Sequence, residues 1–165
     1  MNLYLLRHGD AIPSKGTEPD SARELSDRGR GDVEGAGRLL SRLTPSITRI
    51  LASPLVRAGQ TAEIVKGALP GQPEVTLSPN LVPGFRRANL LQELSGLTDQ
   101  CVLAIGHQPD LTGLIAHLIS GASLNLEMEP GSLAALTVTT IPEVPAGRLR
   151  WLLNPALIRS LNGNH

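Results

Sequence analysis

Six short apolar runs, separated by stretches with helical spacing, constrain the fold of this chain most strongly. The runs are Leu3–Leu6, Arg49–Ala52, Val75–Leu77, Cys101–Ile105, Leu133–Val138 and Leu149–Leu153. Between them, apolar residues recur every three or four positions, which predicts four helices. These segments are Val33–Leu43, Leu55–Leu69, Asn89–Leu97 and Leu111–Ile119. Alternating strands and helices are typical of an α/β domain with a mostly parallel sheet.

The order of these segments predicts a single three-layer α/β/α domain over residues 1–165, with about six strands in the sheet. The last two runs are joined by the Pro/Gly-rich stretch Ile141–Gly147, which is too short for a crossover helix. We therefore expect an antiparallel hairpin there, which adds an antiparallel C-terminal strand to the parallel sheet. The first helix is rich in glycine, but the spacing does not match the dinucleotide-binding pattern G-x-G-x-x-G.

Composition and charge exclude several classes of function. Fifteen Lys and Arg residues balance fifteen Asp and Glu residues, so no overall field favours nucleic acid or a membrane surface. Aromatic residues make up only 2% of the chain, which argues against stacking platforms for single strands. The single cysteine, Cys101, excludes an intrachain disulfide, and we expect it to be buried. The apolar run before Arg7 is too short for a signal peptide or membrane span, so we expect a cytoplasmic protein.

Polar residues follow three of the predicted strands at the point where each strand ends. The first run leads into Arg7 and His8, the second into Ser53 and Arg57, and the fourth into His107. Because the carboxyl ends of parallel strands meet at one edge, where open α/β folds bind ligands, we expect these side chains to converge.

This combination of residue types suits phosphoryl transfer. Arginine offers a planar set of donors that fits phosphate oxygens and stays charged, so Arg7 and Arg57 can neutralise a phosphoryl group. A neutral imidazole can attack phosphorus as a covalent nucleophile, and a second, protonated histidine can donate a hydrogen bond to the transferring group. We expect the remaining histidines, His117 and His165, to be structural.

Several motifs resemble those of the histidine phosphatase superfamily, the phosphoglycerate-mutase-like enzymes. Leu5–Gly9 (LLRHG) is similar to the family signature, and Leu25–Gly29 (LSDRG) is similar to its helix start. Ala52–Ala62 (ASPLVRAGQTA) resembles the S-P-x-x-R-A-x-Q-T-A block, and Ile105–Pro109 (IGHQP) resembles the block of the second histidine. The tail segments Pro130–Ala134 and Leu149–Pro155 resemble the small SixA-type branch of phosphohistidine phosphatases.

The resemblance implies a role for each matching position. His8 corresponds to the nucleophile that becomes phosphorylated, and Arg7 and Arg57 to the arginines that bind phosphate. His107 corresponds to the second histidine, which stabilises the transition state. Arg23 and Ser14 fall where relatives place further phosphate contacts. The resulting mechanism requires no metal ion and no cofactor.

The chain departs from the family at the proton donor. Many relatives carry a glutamate after the third strand, whereas Pro79–Pro83 contains no carboxylate. We expect Glu93, the nearest acid downstream, to be a solvated helix residue, and Glu18, Asp20 and Asp10 remain alternative donors. Because a general acid contributes about 10²- to 10⁴-fold, its absence favours a leaving group with a labile P–N bond.

We therefore expect a phosphatase that acts through a phosphohistidine on His8, with a phosphohistidine-bearing signalling protein as substrate. Two alternatives remain open: a phosphatase of small phosphorylated metabolites, and a phosphohistidine-binding module with little turnover. A binding module needs the arginines more than it needs an imidazole nucleophile. Neither nucleic acid nor a membrane is an expected partner.

Overall fold

The computed structural model describes residues 1–14, 16–43, 46–139 and 146–163. Its strands are β1 (Asn2–Arg7), β2 (Arg49–Ala52), β3 (Glu74–Leu77), β4 (Cys101–Gly106), β5 (Leu133–Val138) and β6 (Gly147–Leu153). Its α-helices are α1 (Asp27–Leu43), α2 (Val56–Ala68), α3 (Arg87–Ser95), α4 (Asp110–Ser120) and α5 (Pro155–Leu161). Two 3₁₀ turns cover Asp20–Ala22 and Pro79–Leu81.

All six strands form one sheet in the order β3-β2-β4-β1-β5-β6. The pairs β2–β3, β2–β4 and β1–β4 are parallel, whereas β5 is antiparallel to both β1 and β6. The predicted α/β class and the antiparallel pairing of the last two strands are confirmed. Since β5 is antiparallel to both of its neighbours, β6 has the same direction as β1. Strand β5 is therefore the one strand of the six that runs opposite to the others. Most of the predicted connection, residues 140–145, lies outside the described residues.

Side chains alternate across the central strands and build a core on each face of the sheet. Leu3 and Leu5 of β1 pack with the buried residues of α3 and α4, whereas Leu6 packs with those of α1, α2 and α5. In β4, Leu103 belongs to the second core and Ala104 to the first. This alternation follows from the two-residue period of a strand and produces the predicted three layers.

The helices match the periodic segments, with one addition. Helix α5 has no counterpart among the four predicted helices. Its start signal is local: the side chain of Asn154 accepts a hydrogen bond from the Leu157 N–H (2.9 Å), and Pro155 takes the first helical position. Ile158 of α5 is buried in the core that α1 and α2 share.

Two expectations about single residues can be compared with the structure. Cys101 is buried, as predicted, and burial raises the pKa of its thiol. His117 lies half-buried on α4, while His165 lies outside the described residues. Over the described part of the chain, no helix combines the length and the apolar character needed to cross a bilayer.

Candidate active site

Backbone pairing at the carboxyl ends of β1 and β4 brings the two histidines together. Arg7 is in register with Gly106, and the His8 N–H donates to the Gly106 carbonyl oxygen (3.1 Å). His107 follows directly after β4, and its ring centroid lies 4.9 Å from that of His8. The predicted convergence of strand ends therefore occurs for these side chains.

Contacts with the backbone and with Arg57 determine which nitrogen of His8 carries the proton and which carries the lone pair. The His8 Nδ1 lies 2.7 Å from the Gly9 carbonyl oxygen, which can only accept a hydrogen bond, so Nδ1 carries the proton. The other nitrogen, Nε2, accepts a hydrogen bond from the Arg57 Nε (3.1 Å). The lone pair of Nε2 therefore points toward the guanidinium of Arg57.

Burial keeps His8 neutral. Loss of solvation lowers the pKa of His8 to about 4, and the charges of Arg57 and Arg7 act in the same direction. The hydrogen bond to Gly9 opposes this shift without cancelling it. At neutral pH the side chain is therefore a neutral imidazole, which is the form that can attack phosphorus once the Arg57 N–H releases the lone pair of Nε2.

His107 is also neutral in the free site. Burial lowers the pKa of His107 to about 3, with a further contribution from His8 and Arg57. Its Nε2 lies 2.8 Å from the Ser53 Oγ, and its Nδ1 is buried without a partner among the described residues. The protonated second histidine expected from the sequence is thus not the resting form. A bound phosphoryl dianion would favour the protonated form because it supplies the missing negative charge.

The guanidinium of Arg57 is already occupied by an acidic residue of the same chain. Its Nη2 lies 2.9 Å from the Asp20 Oδ2, and its Nη1 donates to the Asp20 carbonyl oxygen (2.7 Å). The other carboxylate oxygen of Asp20 accepts from the Arg23 Nη1 (3.0 Å). Asp20 remains 62% exposed, and its hydrogen bonds to Arg23 and Arg57 hold its pKa below the ordinary value.

Arg7 retains donor capacity. Its Nη1 donates to the Met128 carbonyl oxygen (2.6 Å), whereas its buried Nε has no partner in the described part of the structure. Burial, followed by the charge of Arg57, lowers the pKa of Arg7 from its usual value. A buried guanidinium nitrogen without a hydrogen-bond partner favours binding of a negatively charged group.

These side chains line an open cleft of about 330 Å³. The lining residues are Arg7, His8, Asp10, Ala11, Asp20, Arg23, Arg57, Pro83, His107, Gln108 and Pro130. Among the described residues, no three His, Cys, Asp or Glu side chains are grouped as ligands for a metal ion.

Sequence comparison decides the family. A family model described as histidine phosphatase superfamily (branch 1) matches residues 3–82. An uncharacterized protein of Picosynechococcus sp. strain PCC 7002 is 35% identical over 77% of this chain and 80% of its own length. The chain belongs to the histidine phosphatase superfamily.

Within this superfamily, the chain is similar over its whole length to proteins of the SixA type. It is 28% identical to the phosphohistidine phosphatase SixA of Escherichia coli K12, over 96% of this chain and 97% of that protein. A solved structure of SixA complexed with tungstate superposes with a TM-score of 0.84, at 28% identity, and covers 96% of this chain and 99% of that one. A putative SixA from Agrobacterium tumefaciens, at 24% identity and a TM-score of 0.78, shares the fold over 92% and 96% of the two chains.

The family resemblance suggested two additional phosphate contacts, and only one of these residues lies in the cleft. Arg23 lines the cleft and is held by the carbonyl oxygens of Ile12 (2.9 Å) and Ala11 (3.1 Å). Ser14 is exposed, donates to the Glu18 carbonyl oxygen (3.0 Å) and does not line the cleft. A phosphate contact by Ser14 would therefore require the loop to rearrange.

The candidate acids of the histidine phosphatase also differ in position. Glu93 is not a solvated helix residue: its Oε2 accepts hydrogen bonds from the Ser78 hydroxyl (2.6 Å) and the Asn80 amide (2.8 Å). It therefore stabilises the 3₁₀ turn after β3. Asp10 and Asp20 both line the cleft, but the Asp10 carboxylate accepts from the Ser26 hydroxyl (2.7 Å) at the start of α1.

Two supporting contacts were not predicted. Ser53 lies in a motif that the sequence singled out, but its contact with His107 joins residues 54 positions apart. Thr61 accepts from the Gly9 N–H (3.2 Å) and donates to the Arg57 carbonyl oxygen (2.7 Å). Their only sequence signal is their place in the S-P-x-x-R-A-x-Q-T-A block, because the contacts of Ser53 with His107 and of Thr61 with Gly9 join residues 54 and 52 positions apart.

Proposed function

We propose that this protein is a phosphohistidine phosphatase that transfers a phosphoryl group from its substrate to His8 and then to water. The observation that carries the proposal is the state of His8: a buried, neutral imidazole whose Nε2 lone pair faces Arg57 in an open cleft. The full-length similarity to a phosphohistidine phosphatase supports the same activity.

The first step forms a bond from the His8 Nε2 to phosphorus while the P–N bond of the substrate breaks. The leaving imidazole nitrogen takes a proton from solvent. Arg57 and Arg7 bind the non-bridging oxygens, and the hydrogen bond from Nδ1 to Gly9 keeps the attacking ring oriented. The contact with Gly9 is in place before reaction, whereas Arg57 first exchanges its hydrogen bonds to the His8 Nε2 and to Asp20 for bonds to the phosphoryl oxygens. Once bound in this way, the two guanidinium groups stabilise the charge that develops on those oxygens.

The second step returns His8 to its starting form. Water attacks phosphorus, the bond to Nε2 breaks, inorganic phosphate leaves, and the proton released by water goes to solvent. We assign His107 to stabilisation of the equatorial oxygens in both steps, because its ring lies beside that of His8 and its Nδ1 has no protein partner in the described structure. Asp20 must leave Arg57 before the phosphoryl group can bind there.

The proposed substrate is a phosphohistidine carried by a protein, encountered in the cytoplasm. Glu93 is engaged in a structural turn and residues 79–83 contain no carboxylate, so this segment offers no acid to protonate an alkoxide leaving group. An imidazole leaving group needs less assistance, since its P–N bond is labile. The cleft is open, which allows a side chain on a protein surface to enter it.

The test is phosphate release, without added metal, from a phosphohistidine-bearing transfer protein and from a phosphoserine peptide. We expect rapid release from the first substrate only, and at least 10³-fold slower release in His8→Asn. An acid-labile, alkali-stable label on the wild-type protein after rapid quenching identifies the covalent intermediate. The matched control is Arg148→Ala, an exposed residue near the opposite end of the sheet.

Other outcomes select the alternatives. Equal or faster release from the phosphoserine peptide or from small phosphoesters would favour a metabolite phosphatase with an acid from the loop. Tight binding of the phosphoprotein without release would favour a phosphohistidine-binding module. Full activity of His8→Asn would refute the assignment of the nucleophile.

A further inference from the structure

A groove between α3 and α4 begins beside the catalytic cleft. One hollow of about 670 Å³ is lined by Arg86, Arg87, Ala88, Leu91, Gln92, Ser95 and His117. A second hollow of about 380 Å³ shares Arg87 and His117 with the first and extends past Pro109 to Leu124. We call these two hollows together the α3–α4 groove.

The groove and the cleft are joined along the chain at two points. Gln108 lines the cleft, while the next residue, Pro109, lines the groove. Pro83 lines the cleft, and Arg86 lies three residues further on, at the start of α3. The Asp110 carboxylate accepts a hydrogen bond from the Gly84 N–H (2.9 Å), and this bond links the segment that follows Pro83 to the start of α4. A protein surface that places a side chain in the cleft would therefore also cover the groove.

The charge of the groove is positive and uncompensated. Arg86 and Arg87 are exposed, and neither forms an ion pair with any described residue. Arg87 instead donates to the Gly113 carbonyl oxygen (3.0 Å), which holds its guanidinium across the groove toward α4. The residues that line the two hollows include no aspartate or glutamate. The chain as a whole has zero net charge, but Arg86 and Arg87 place two positive charges, unpaired among the described residues, beside the cleft.

The groove also offers apolar surface. Ala88 on α3 is exposed and lines it, and Leu124 is exposed at its far end, whereas Leu91 is buried in the core. Helix α3 has nine residues, so this side of the groove is about 13 Å long. That length exceeds what a phosphorylated side chain alone can contact, but it fits one to two turns of a partner helix or an equivalent segment.

We propose that the α3–α4 groove binds an acidic segment of the protein that carries the phosphohistidine. Carboxylates of that segment pair with Arg86 and Arg87 while its apolar side chains contact Ala88 and Leu124. This inference rests on the proposed phosphohistidine phosphatase activity and adds the surface that selects the protein substrate. Since these charges are solvent-exposed, they act mainly on the encounter of the two proteins and weaken with salt.

The test compares a protein substrate with a small one. Arg86→Glu/Arg87→Glu is assayed on a phosphohistidine-bearing transfer protein with an acidic surface and on free phosphohistidine. We expect kcat/KM for the protein to fall at least 10-fold at low salt, through KM, while kcat/KM for free phosphohistidine changes less than twofold. The single variant Arg86→Glu, which removes no described hydrogen bond, gives an intermediate effect. Arg148→Glu/Arg150→Glu, the same charge change on β6, leaves both values unchanged.

A binding measurement separates this proposal from the proposed activity. The Kd of the unphosphorylated transfer protein is measured by titration at two salt concentrations, so that no turnover is required. We expect the groove variant to weaken binding at least 10-fold and to lose most of its salt dependence. An unchanged Kd, or an equal loss for β6 and groove variants, would overturn the groove as the docking surface. If the groove variant weakens binding as expected but the wild-type protein hydrolyses no phosphohistidine, the proposed activity is refuted and the groove remains the docking surface.

Discussion

Asp20 is the residue whose contacts most directly affect ligand binding in the cleft. Its carboxylate bridges Arg57 and Arg23, and it therefore occupies donors that a phosphoryl group would use. In the proposed mechanism, substrate binding exchanges one anion for another, so we expect the net affinity for phosphate to include the free energy of releasing Asp20.

Replacement of this carboxylate is expected to tighten phosphate binding. Asp20→Asn should lower the inhibition constant of inorganic phosphate several-fold, because the variant removes both a competing anion and its repulsion of the ligand. The measurement is competitive inhibition of phosphohistidine hydrolysis. Glu18→Gln, which removes the same charge from the same loop, serves as the control. An inhibition constant that does not change in Asp20→Asn would show that the contact does not compete with phosphate.

The two buried histidines are expected to make stability depend on pH. Both imidazoles have an ordinary pKa of 6.5 in the unfolded chain, whereas the folded protein lowers the pKa to about 4 for His8 and about 3 for His107. Between pH 6.5 and 4 the unfolded chain binds more protons, so the free energy of unfolding falls as the pH falls.

This dependence can be measured by urea unfolding at pH 7 and pH 5. Each imidazole should contribute a loss on the order of 1 to 2 kcal/mol between these values. His8→Asn should show a smaller difference than the wild type because it lacks one of the two groups. An identical difference in both proteins would mean that His8 is not buried as a neutral imidazole.

At the level of elements, close packing of α1 against the loop after β1 positions His8. A Cβ atom added at Gly29 would lie 2.1 Å from the Asp10 carbonyl oxygen, and one added at Gly9 would lie 2.7 Å from the Gly29 carbonyl oxygen. The backbone of α1 therefore touches the backbone that follows the nucleophile, and glycine is required on both sides of this contact.

Two alanine substitutions in the same helix should have opposite effects. Gly29→Ala should destabilise the protein by roughly 3 kcal/mol and reduce activity, because the clash is with backbone atoms that cannot move alone. Gly31→Ala, with no atom within 4 Å of its added Cβ, should stabilise the helix by up to about 1 kcal/mol. Thermal unfolding of both variants checks the pair, and equal effects would contradict the close approach.

For the molecule as a whole, the C-terminal helix is attached to the first helix through a buried charge. Asp32 of α1 is buried and forms an ion pair with Arg159 of α5, while Arg28 lies farther away (3.8 Å). The Asn162 side chain of the same region donates to the Gly35 carbonyl oxygen (2.9 Å). These contacts connect α1 and α5 on one face of the sheet.

Removal of the cation should destabilise the protein because Asp32 would remain buried without its nearest partner. We expect Arg159→Ala to lower the free energy of unfolding by about 1 to 2 kcal/mol, less than for a fully buried pair because Arg159 is 44% exposed. Arg38→Ala, which breaks the exposed pair with Glu34, should cost under about 0.5 kcal/mol. Urea unfolding distinguishes the two, and equal losses would exclude a special role for Asp32.

The sequence by itself was sufficient for the order of the six strands and the first four α-helices, and for the convergence of Arg7, His8, Arg57 and His107. Apolar periodicity reports which residues a strand or helix buries, and parallel strands necessarily bring their carboxyl ends to one edge. Helix α5 was missed although its signal, Asn154 followed by Pro155, is local. Glu93 was misjudged because its partners, Ser78 and Asn80, lie 15 and 13 positions away.

Only the tertiary structure decided the chemical state of the site. The tautomer of His8 depends on the orientation of its ring toward the Gly9 carbonyl oxygen, and its low pKa depends on burial beside Arg57, which is 49 residues away. Likewise, the occupation of Arg57 by Asp20 joins residues 37 positions apart. Sequence patterns specify which groups are available, whereas proton positions and ion pairs follow from distances and solvent exclusion that exist only after the chain has folded.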